Sequence, residues 1–497
     1  MFKKPKEPAR NLTGRVSLGR GYSLMDWLRL AGSGKDLSGT GGKYKDVTYE
    51  ELKKHNKEED CWMAVHGVVF NITPYIRYHP GGVEEIMRGA GADGTKLFDQ
   101  NHAWVNASNM LKACIVGRLA YSPSSQTLSI PALATPNANI QHKSLANISY
   151  TWKDATDAVI VKISNLPDDM TSRNMVAHLK DNHILFIYLF QEPDVCILEL
   201  ALYCLIDSFK ISELMNSISL KLIKRDPQSW KTLGNDLRNG FDLIAMSNFD
   251  RPVFPCRLVA KTKVTHDSDQ YICALPKNLH LAPPVGHHLF ISVESEDLVL
   301  HRSYTPIPIL DKFSSSSFNN HLVFMIKVYR EGIVSSAISQ KSIGDVLDIS
   351  PMGGNLTSRK YLNAINILLI AAGTGITPML GILDDVLFKN FLDIRQIKLI
   401  FFNKTEKDIL YRKQLEEFQE QKKEYFNIFH VLSSPDDSWS GLSGRISLPL
   451  IKKISGSIFC EEDDFIAICG PQGFNKLASE IFTELTGQSS SFTLFQG

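Results

Sequence analysis

The stretch Ile365-Asn-Ile-Leu-Leu-Ile-Ala-Ala-Gly-Thr-Gly-Ile-Thr-Pro378 decides the fold of the region around it. A near-continuous apolar run is what a strand buried on both faces requires, and such strands belong to parallel sheets covered by helices. A helical pattern follows from Met379 to Phe388, and then a second apolar strand, Ile397-Lys-Leu-Ile-Phe-Phe402. Strand, glycine turn, helix and strand make a βαβ unit. A later strand, Asp464-Phe-Ile-Ala-Ile-Cys469, ends in a second glycine turn, Gly470-Pro-Gln-Gly473. In open sheets of this class ligands bind beyond the carboxyl ends of the strands, where both glycine turns fall.

Outward from that unit, 497 residues are enough for about three domains. Hydrophobic residues at 43% and charged residues at 22% describe an ordinary globular chain and exclude collagenous, wholly disordered and membrane-bundle classes. A formal charge of +1 gives no long-range attraction to nucleic acid, so none is expected as a partner. The eight cysteines form no C-x-x-C pair, which excludes a thioredoxin-like dithiol and a C-x-x-C-H haem attachment, and fits a reduced compartment. No apolar leader opens the sequence, and the most hydrophobic stretch, 183–206, is broken by Gln191, Glu192, Pro193, Asp194 and Glu199, so a soluble protein without a transmembrane segment is expected.

The expected organisation is multidomain, mixing α+β, β and α/β parts. Residues 1–42 form a flexible arm whose cluster Leu24, Met25, Trp27, Leu28 and Leu30 either covers an apolar patch on the following domain or packs locally. A compact domain follows at 43–120, then a Ser-, Pro- and Asn-rich linker at 121–147. Alternating short runs over 148–234 predict an antiparallel β-sandwich. After a second linker at 235–250 come a strand-rich barrel at 251–356 and the βαβ region at 357–497.

Within the first domain, His79-Pro80-Gly81-Gly82 places an imidazole before a turn, and the next helix carries Val83, Ile86 and Met87 on one face. A second histidine, His102, comes later, after another helical stretch. Two neutral imidazoles across an apolar slot fill both axial positions of a haem iron and suit electron transfer rather than oxygen chemistry. With Val47-Thr-Tyr-Glu-Glu-Leu52, Cys61 to Tyr75 and Val116-Gly-Arg-Leu119, this domain resembles cytochrome b5 over its whole length. The resemblance implies haem b, with His79 and His102 as its metal ligands.

In the barrel region, Arg302-Ser-Tyr304-Thr305-Pro306 offers a guanidinium, a phenol and a hydroxyl, suited to a diphosphate, a flavin ring and a flavin nitrogen. Gly332, in Glu331-Gly-Ile-Val334-Ser335, lets backbone N–H groups approach phosphate. These motifs, preceding the βαβ unit, resemble the NADH–cytochrome b5 reductase family of the ferredoxin-reductase-like class, from about Pro252 onward. The resemblance implies that Arg302, Tyr304, Thr305, Gly332, Val334 and Ser335 hold FAD, with Lys327 and Tyr329 on a strand beside the flavin. It places Gly373, Thr374, Gly375, Thr377 and Pro378 at the nicotinamide nucleotide, and Gly470 and Pro471 beside Cys469 near its ring. Thr305 and Cys469, next to the reacting rings, are the catalytic candidates. The chain departs from the family in Glu331-Gly332-Ile333, where two adjacent glycines and a basic residue are usual, and in Pro-Gln-Gly-Phe474 after Cys469-Gly470. Lys404 and Lys407, beyond a strand that should approach the adenosine ribose, would tolerate a 2′-phosphate, so NADPH stays open beside NADH.

The middle module resembles a CS domain, the β-sandwich of co-chaperones, and is read as a spacer first and a site for a protein partner second. A nicotinamide gives two electrons, haem iron takes one, and a flavin converts between them. The expected activity is an NAD(P)H-dependent cytochrome-b5 reductase: electrons run from NAD(P)H through FAD to haem and on to an external acceptor, a haem protein or desaturase-type enzyme. Relatives of this kind are cytoplasmic and associated with the endoplasmic reticulum. One rival is a co-chaperone or scaffold with vestigial redox domains. Another is a nitrate-reductase fragment, for whose molybdenum domain the chain has no room.

Overall fold

The computed structural model describes residues 19, 21–41, 44–65, 68–95, 97–98, 110–119, 145–214, 216–295, 298–308, 320–329, 331–354, 356–388, 394–456, 464–487 and 492–496. The chain divides into two compact units, Met1–Ile140 with Glu294–His301, and Gln141–Val293 with Arg302–Gly497.

In the first unit, helix α1 (Leu24–Ala31) is opened by a capping box in which the Ser23 side chain accepts from the Asp26 N–H. Strands β1 (Lys45–Val47), β2 (Asn56–Lys57), β3 (Asp60–Val65), β4 (Val68–Asn71) and β5 (Ile115–Leu119) form one sheet in the order β1-β5-β4-β3-β2. The short helices α2 (Tyr49–Leu52) and α3 (Val83–Met87) lie between them in sequence. Gly117 explains how β1 can run parallel to β5: a Cβ there would lie 1.7 Å from the Lys45 carbonyl oxygen. The core gathers Phe70, Ile72, Tyr75, Ile76, Ile86, Leu111 and Trp27. Trp27 is fully buried, its indole N–H donates to the Met110 carbonyl at 3.0 Å, and its ring meets Tyr75 edge-on at 4.8 Å. Of the two sequence readings of that cluster, the structure therefore supports the one in which it covers the domain.

The second unit opens with a sandwich. Strands β6 (Ser149–Asp154), β7 (Ala158–Ser164), β8 (Met175–Lys180), β9 (Ile184–Gln191), β10 (Asp194–Leu202), β11 (Ile206–Leu214), β12 (Ser217–Lys224), β13 (Gly234–Asp236) and β14 (Asp242–Ala245) make two sheets. One has the order β11-β12-β7-β6; the other runs β13-β10-β9-β8, with β14 also on β10. Inward residues such as Val159, Val161, Ile187, Leu189, Leu198 and Leu220 fill the space between them. Both β13 and β14 lie at or within the 235–250 stretch read as a linker.

The barrel comprises β15 (Phe254–Thr265), β16 (Ser268–Ala274), β18 (His288–Ser295), β19 (Leu298–Tyr304), β20 (His321–Lys327) and β21 (Val346–Gly353), in the order β19-β18-β21-β15-β16-β20. Helix α4 (Ile333–Gln340) follows β20. Strand β17 (Leu279–Leu281) leaves the barrel and pairs antiparallel with β8 of the sandwich, Leu281 opposite Val176. Sandwich and barrel thus share a sheet edge.

The last layer is a parallel sheet of β22 (Asn366–Ala372), β23 (Gln396–Asn403), β24 (Phe426–Leu432), β25 (Leu442–Ser443), β26 (Asp464–Gly470) and β27 (Thr493–Gln496). Its order, β25-β24-β23-β22-β26-β27, reverses direction at β22, so the switch point lies between β22 and β26. Helices α5 (Ser358–Leu362), α6 (Ile376–Phe388), α7 (Arg412–Gln421), α8 (Leu448–Ser455) and α9 (Gln472–Thr486) complete the unit. Helix α6 begins three residues before the expected Met379, because Pro378 in its first turn needs no N–H partner. One apolar cluster runs from Ile307, Val323 and Met325 of the barrel into Ile367, Leu369 and Met379 of the nucleotide-type layer. Among the described residues, no helix is long and apolar enough to cross a membrane.

Candidate functional site

In the first unit, His79 follows the short turn Ile76–Tyr78 and is 8% exposed. Its Nδ1 faces the Gly82 carbonyl at 3.0 Å, and since a carbonyl only accepts, Nδ1 must be the donor. The neutral ring then carries its lone pair on Nε2, the tautomer suited to a metal. Burial pushes the imidazole pKa down, outweighing the pull of that hydrogen bond, and keeps the ring neutral. Gly81 is required by the ring itself, because a Cβ there would lie 2.7 Å from His79 Cε1. Ile86 is buried behind this turn, and Val83 and Met87 lie against the same core. A buried neutral imidazole on an apolar wall fits a haem ligand. The second candidate, His102, lies outside the described residues.

In the barrel, Arg302, Tyr304 and Thr305 stand together at the end of β19, Arg302 exposed and the other two half-buried. The Tyr304 phenol is pushed up to about 12, by burial first, with Tyr329 adding to the shift and Arg302 opposing it. Tyr329 is exposed just beyond β20. Lys327, at the end of β20, sits 2.8 Å from the Asp267 carboxylate; burial works against its charge, but Asp267 more than compensates and holds the ammonium above its usual value. Gly332 caps α4 where a Cβ would lie 2.7 Å from Ser335 Oγ and 3.0 Å from Tyr329 Cβ. Ser335 Oγ accepts from the Tyr329 N–H at 3.1 Å, so its hydroxyl braces the loop, and Val334 points into the core. What this turn offers a phosphate is therefore backbone N–H groups at a helix start. The guanidinium, phenol, hydroxyl and open helix turn fit FAD.

At the switch point, Gly373 has φ +54 and Gly375 is buried against β26. A Cβ on Gly375 would lie 2.2 Å from the Cys469 carbonyl oxygen and 2.8 Å from the Gly470 nitrogen. Thr377 Oγ1 donates to the Thr374 carbonyl at 3.1 Å and ties the loop to the first turn of α6, where Pro378 is buried. Gly470 is hemmed in as well, its absent Cβ falling 2.6 Å from Phe474 Cδ1 and 2.9 Å from Ala372 Cβ. Pro471 is exposed beyond it. Cys469 is 5% exposed, and burial pushes its thiol up to about 12, so the sulfur is neutral rather than a thiolate. The two tight glycine contacts bring the loop after β22 and the end of β26 together at the switch point, where open α/β sheets bind nucleotides, so these residues fit the nicotinamide nucleotide.

Other groups near these sites emerge only in three dimensions. Asp267, which charges Lys327, gathers with His266 and Asp408 so that their ligand-capable atoms lie within 4.8 Å of one another. The Lys327 ammonium already balances charge there. Asn403, at the carboxyl end of β23, is buried with neither amide atom hydrogen-bonded. Such a group suits a ligand at that strand end, and its place just after the apolar run Ile397–Phe402 is the signal that could have singled it out. Tyr411 donates to Gln270 at 2.7 Å and joins barrel to nucleotide layer.

Comparison with known proteins follows the same divisions. Residues 48–120 match the cytochrome b5-like heme/steroid binding domain, 255–357 the oxidoreductase FAD-binding domain and 369–480 the oxidoreductase NAD-binding domain. Cytochrome b5 reductase 4 of Xenopus tropicalis is 36% identical over 93% of this chain and 91% of its own length. The Homo sapiens protein of the same name is 33% identical over 97% and 96%. A solved structure of the CS-b5R domains of human Ncb5or in its NAD+ form superposes with a TM-score of 0.64 at 27% identity, covering 70% of this chain and 99% of that one. Spinach NADH nitrate reductase aligns with 95% of this chain at 23% identity, but with only 42% of its own length. A scaffold with vestigial redox domains is not favoured by matches that span both redox halves. With haem, FAD and NADH each provided for in one polypeptide, the chain belongs to the cytochrome b5 reductase 4 family, and it is an oxidoreductase that moves electrons from NADH through FAD to a b5-type haem.

Proposed function

We propose that NADH docks in the crevice between β22 and β26, with Gly373, Thr374, Gly375, Thr377, Pro378, Gly470 and Pro471 around the dinucleotide and Cys469 behind the nicotinamide. Arg302, Tyr304, Thr305, Lys327, Tyr329 and the Gly332–Ser335 turn would hold FAD, and His79 and His102 would hold the haem. When bound, the nicotinamide supplies a hydride, the flavin splits the pair into single electrons, and the haem carries them one at a time. The observation that carries this reading is the contact of Gly375 with the Cys469–Gly470 peptide, which sets the glycine loop after β22 beside the end of β26 at the switch point.

The protein groups position and polarise rather than exchange protons. Arg302 offers a planar fork to the diphosphate. Thr305 presents its hydroxyl to a flavin nitrogen, and Tyr304, kept neutral by burial, brings no negative charge to the ring. Cys469 contributes a neutral, polarizable wall, and its high thiol pKa argues against nucleophilic work. Asn403, buried at the carboxyl end of β23, would lie on the adenosine side, and the exposed Lys404 and Lys407 beyond it would tolerate a 2′-phosphate, so NADPH stays open beside NADH.

The external acceptor is a ferric haem protein or a desaturase-type enzyme, reached at the surface of the endoplasmic reticulum. The sandwich acts as a CS-type spacer, a role supported by β17 of the barrel completing its sheet edge; binding of a separate protein is the second reading. Anaerobic stopped-flow mixing with NADH and then NADPH, followed by a screen of acceptors, tests the scheme. Haem that stays ferric while the flavin is fully reduced would refute it.

A further inference from the structure

Strand β27 pairs with β26 so that Phe495 stands opposite Cys469. The Phe495 ring also rests on the barrel: a Cβ on Gly286 would lie 2.7 Å from Phe495 Cε1 and 2.9 Å from Leu356 Cδ2. Gly286, with φ +76, occupies a turn closed by the His287 N–H onto the Pro284 carbonyl at 3.1 Å. Its neighbour Val285 meets α6 at Gly381, whose absent Cβ would stand 3.0 Å from Val285 Cγ1. One barrel turn is therefore gripped from two sides, by the helix that continues the Gly373–Gly375 loop and by the strand beside Cys469.

Asn475 fastens that strand. It lies in the first turn of α9, buried, and its Nδ2 donates to the Phe495 carbonyl at 2.8 Å. Its Oδ1 has no hydrogen-bond partner. A buried amide left half-satisfied is costly, so packing alone does not account for an asparagine here.

We propose that Asn475 and Phe495 are positioning residues for hydride transfer: Asn475 clamps β27, and Phe495 seats it on the Gly286 turn, fixing the Cys469–Gly470 edge against the flavin barrel. The inference rests on the assignment of that edge to the nicotinamide. Hydride transfer needs reacting atoms about 3 to 3.5 Å apart, and a misplacement near 1 Å can cost on the order of 100-fold in rate. The two rings are held by different layers of the chain, so a contact that sets their spacing controls the rate without touching either ring.

The test uses the full-length holoprotein carrying Phe495→Ala, Asn475→Leu or Phe495→Tyr. Flavin reduction by NADH is followed by anaerobic stopped flow, NAD+ affinity by titrating the oxidised protein, and ring stacking by the long-wavelength flavin–nicotinamide absorbance. Phe495→Ala and Asn475→Leu should lower the limiting reduction rate roughly tenfold or more and weaken the long-wavelength band. NAD+ affinity should stay within about twofold, while Phe495→Tyr restores the rate. A limiting rate within about twofold of the parent in both variants would overturn the clamp. So would variants that lose FAD while their FAD-loaded fraction still reduces at the parental rate. Failure of the underlying site assignment shows separately, as unchanged NAD+ affinity in Gly375→Val.

Discussion

Gly375 and the Cys469 carbonyl are in such close apposition that no side chain fits between them: a Cβ on Gly375 would fall 2.2 Å from that oxygen. Cys469 lies on β26, paired in parallel with β22 so that Ala371 stands opposite it, and Gly375 sits in the turn directly beyond the end of β22, so the two cannot move apart without disturbing that pairing. Replacing Gly375 with valine should displace the Cys469–Gly470 peptide and cut NAD+ affinity at least about tenfold, or about 1.4 kcal/mol. The haem spectrum should stay unchanged, because His79 belongs to the other compact unit. Titration of flavin absorbance with NAD+, alongside the haem absorbance of the same sample, checks both halves of the expectation.

Separate cofactor modules predict separable losses. His79→Ala should abolish the reducible haem signal while leaving flavin reduction by NADH at the parental rate, and His102→Ala should do the same. His79 is held in one tautomer by the Gly82 carbonyl, so an alanine removes both the proposed haem ligand and the bond that orients it. Rapid mixing with NADH under anaerobic conditions distinguishes the outcomes, and an equal fall in flavin and haem reduction would contradict this division of labour.

Trp27 fills the core of the haem-side unit from a helix that lies outside the 48–120 match. Trp27→Ala should cost about 3 to 5 kcal/mol through the cavity it leaves. It also removes the donor to the Met110 carbonyl. Thermal melting followed at the haem band should show a large drop, with melting followed at the flavin unaffected.

Much of this architecture was legible along the chain because it rests on local patterns. The apolar run ending at Gly373 predicted a buried parallel strand, and β22 spans Asn366–Ala372 fully buried. HPGG predicted a constrained histidine, and Gly81 and Gly82 have conformational or steric reasons to be there. What stayed illegible depends on pairs distant in sequence. Lys327 owes its charge environment to Asp267, 60 positions earlier, and no spacing rule links them. Leu279–Leu281 is too short to announce that it completes a sheet belonging to the sandwich. Asn475 and Phe495 meet across a gap of 20 residues, with only a single hydrogen bond to mark it.

His288 gives the sandwich–barrel unit a definite pH dependence. It is half-buried beside Gly353 and Phe290, and desolvation of its ring, with His287 and Arg251 adding to it, brings its pKa down from 6.5 to about 4. The unfolded chain therefore takes up a proton near pH 6.5 that the folded chain refuses until about pH 4. A depressed histidine pKa contributes stability that is fully present above 6.5 and is lost as the pH falls toward 4, by up to about 1.4 kcal/mol per pH unit. His287 is shifted the same way, chiefly by burial, and steepens the slope. FAD release and unfolding monitored by flavin fluorescence should thus shift to lower temperature between pH 6.5 and pH 4, and His288→Gln, which cannot take up the proton, should flatten that dependence. A parental melting curve independent of pH over this range would show that the imidazole is protonated within the fold.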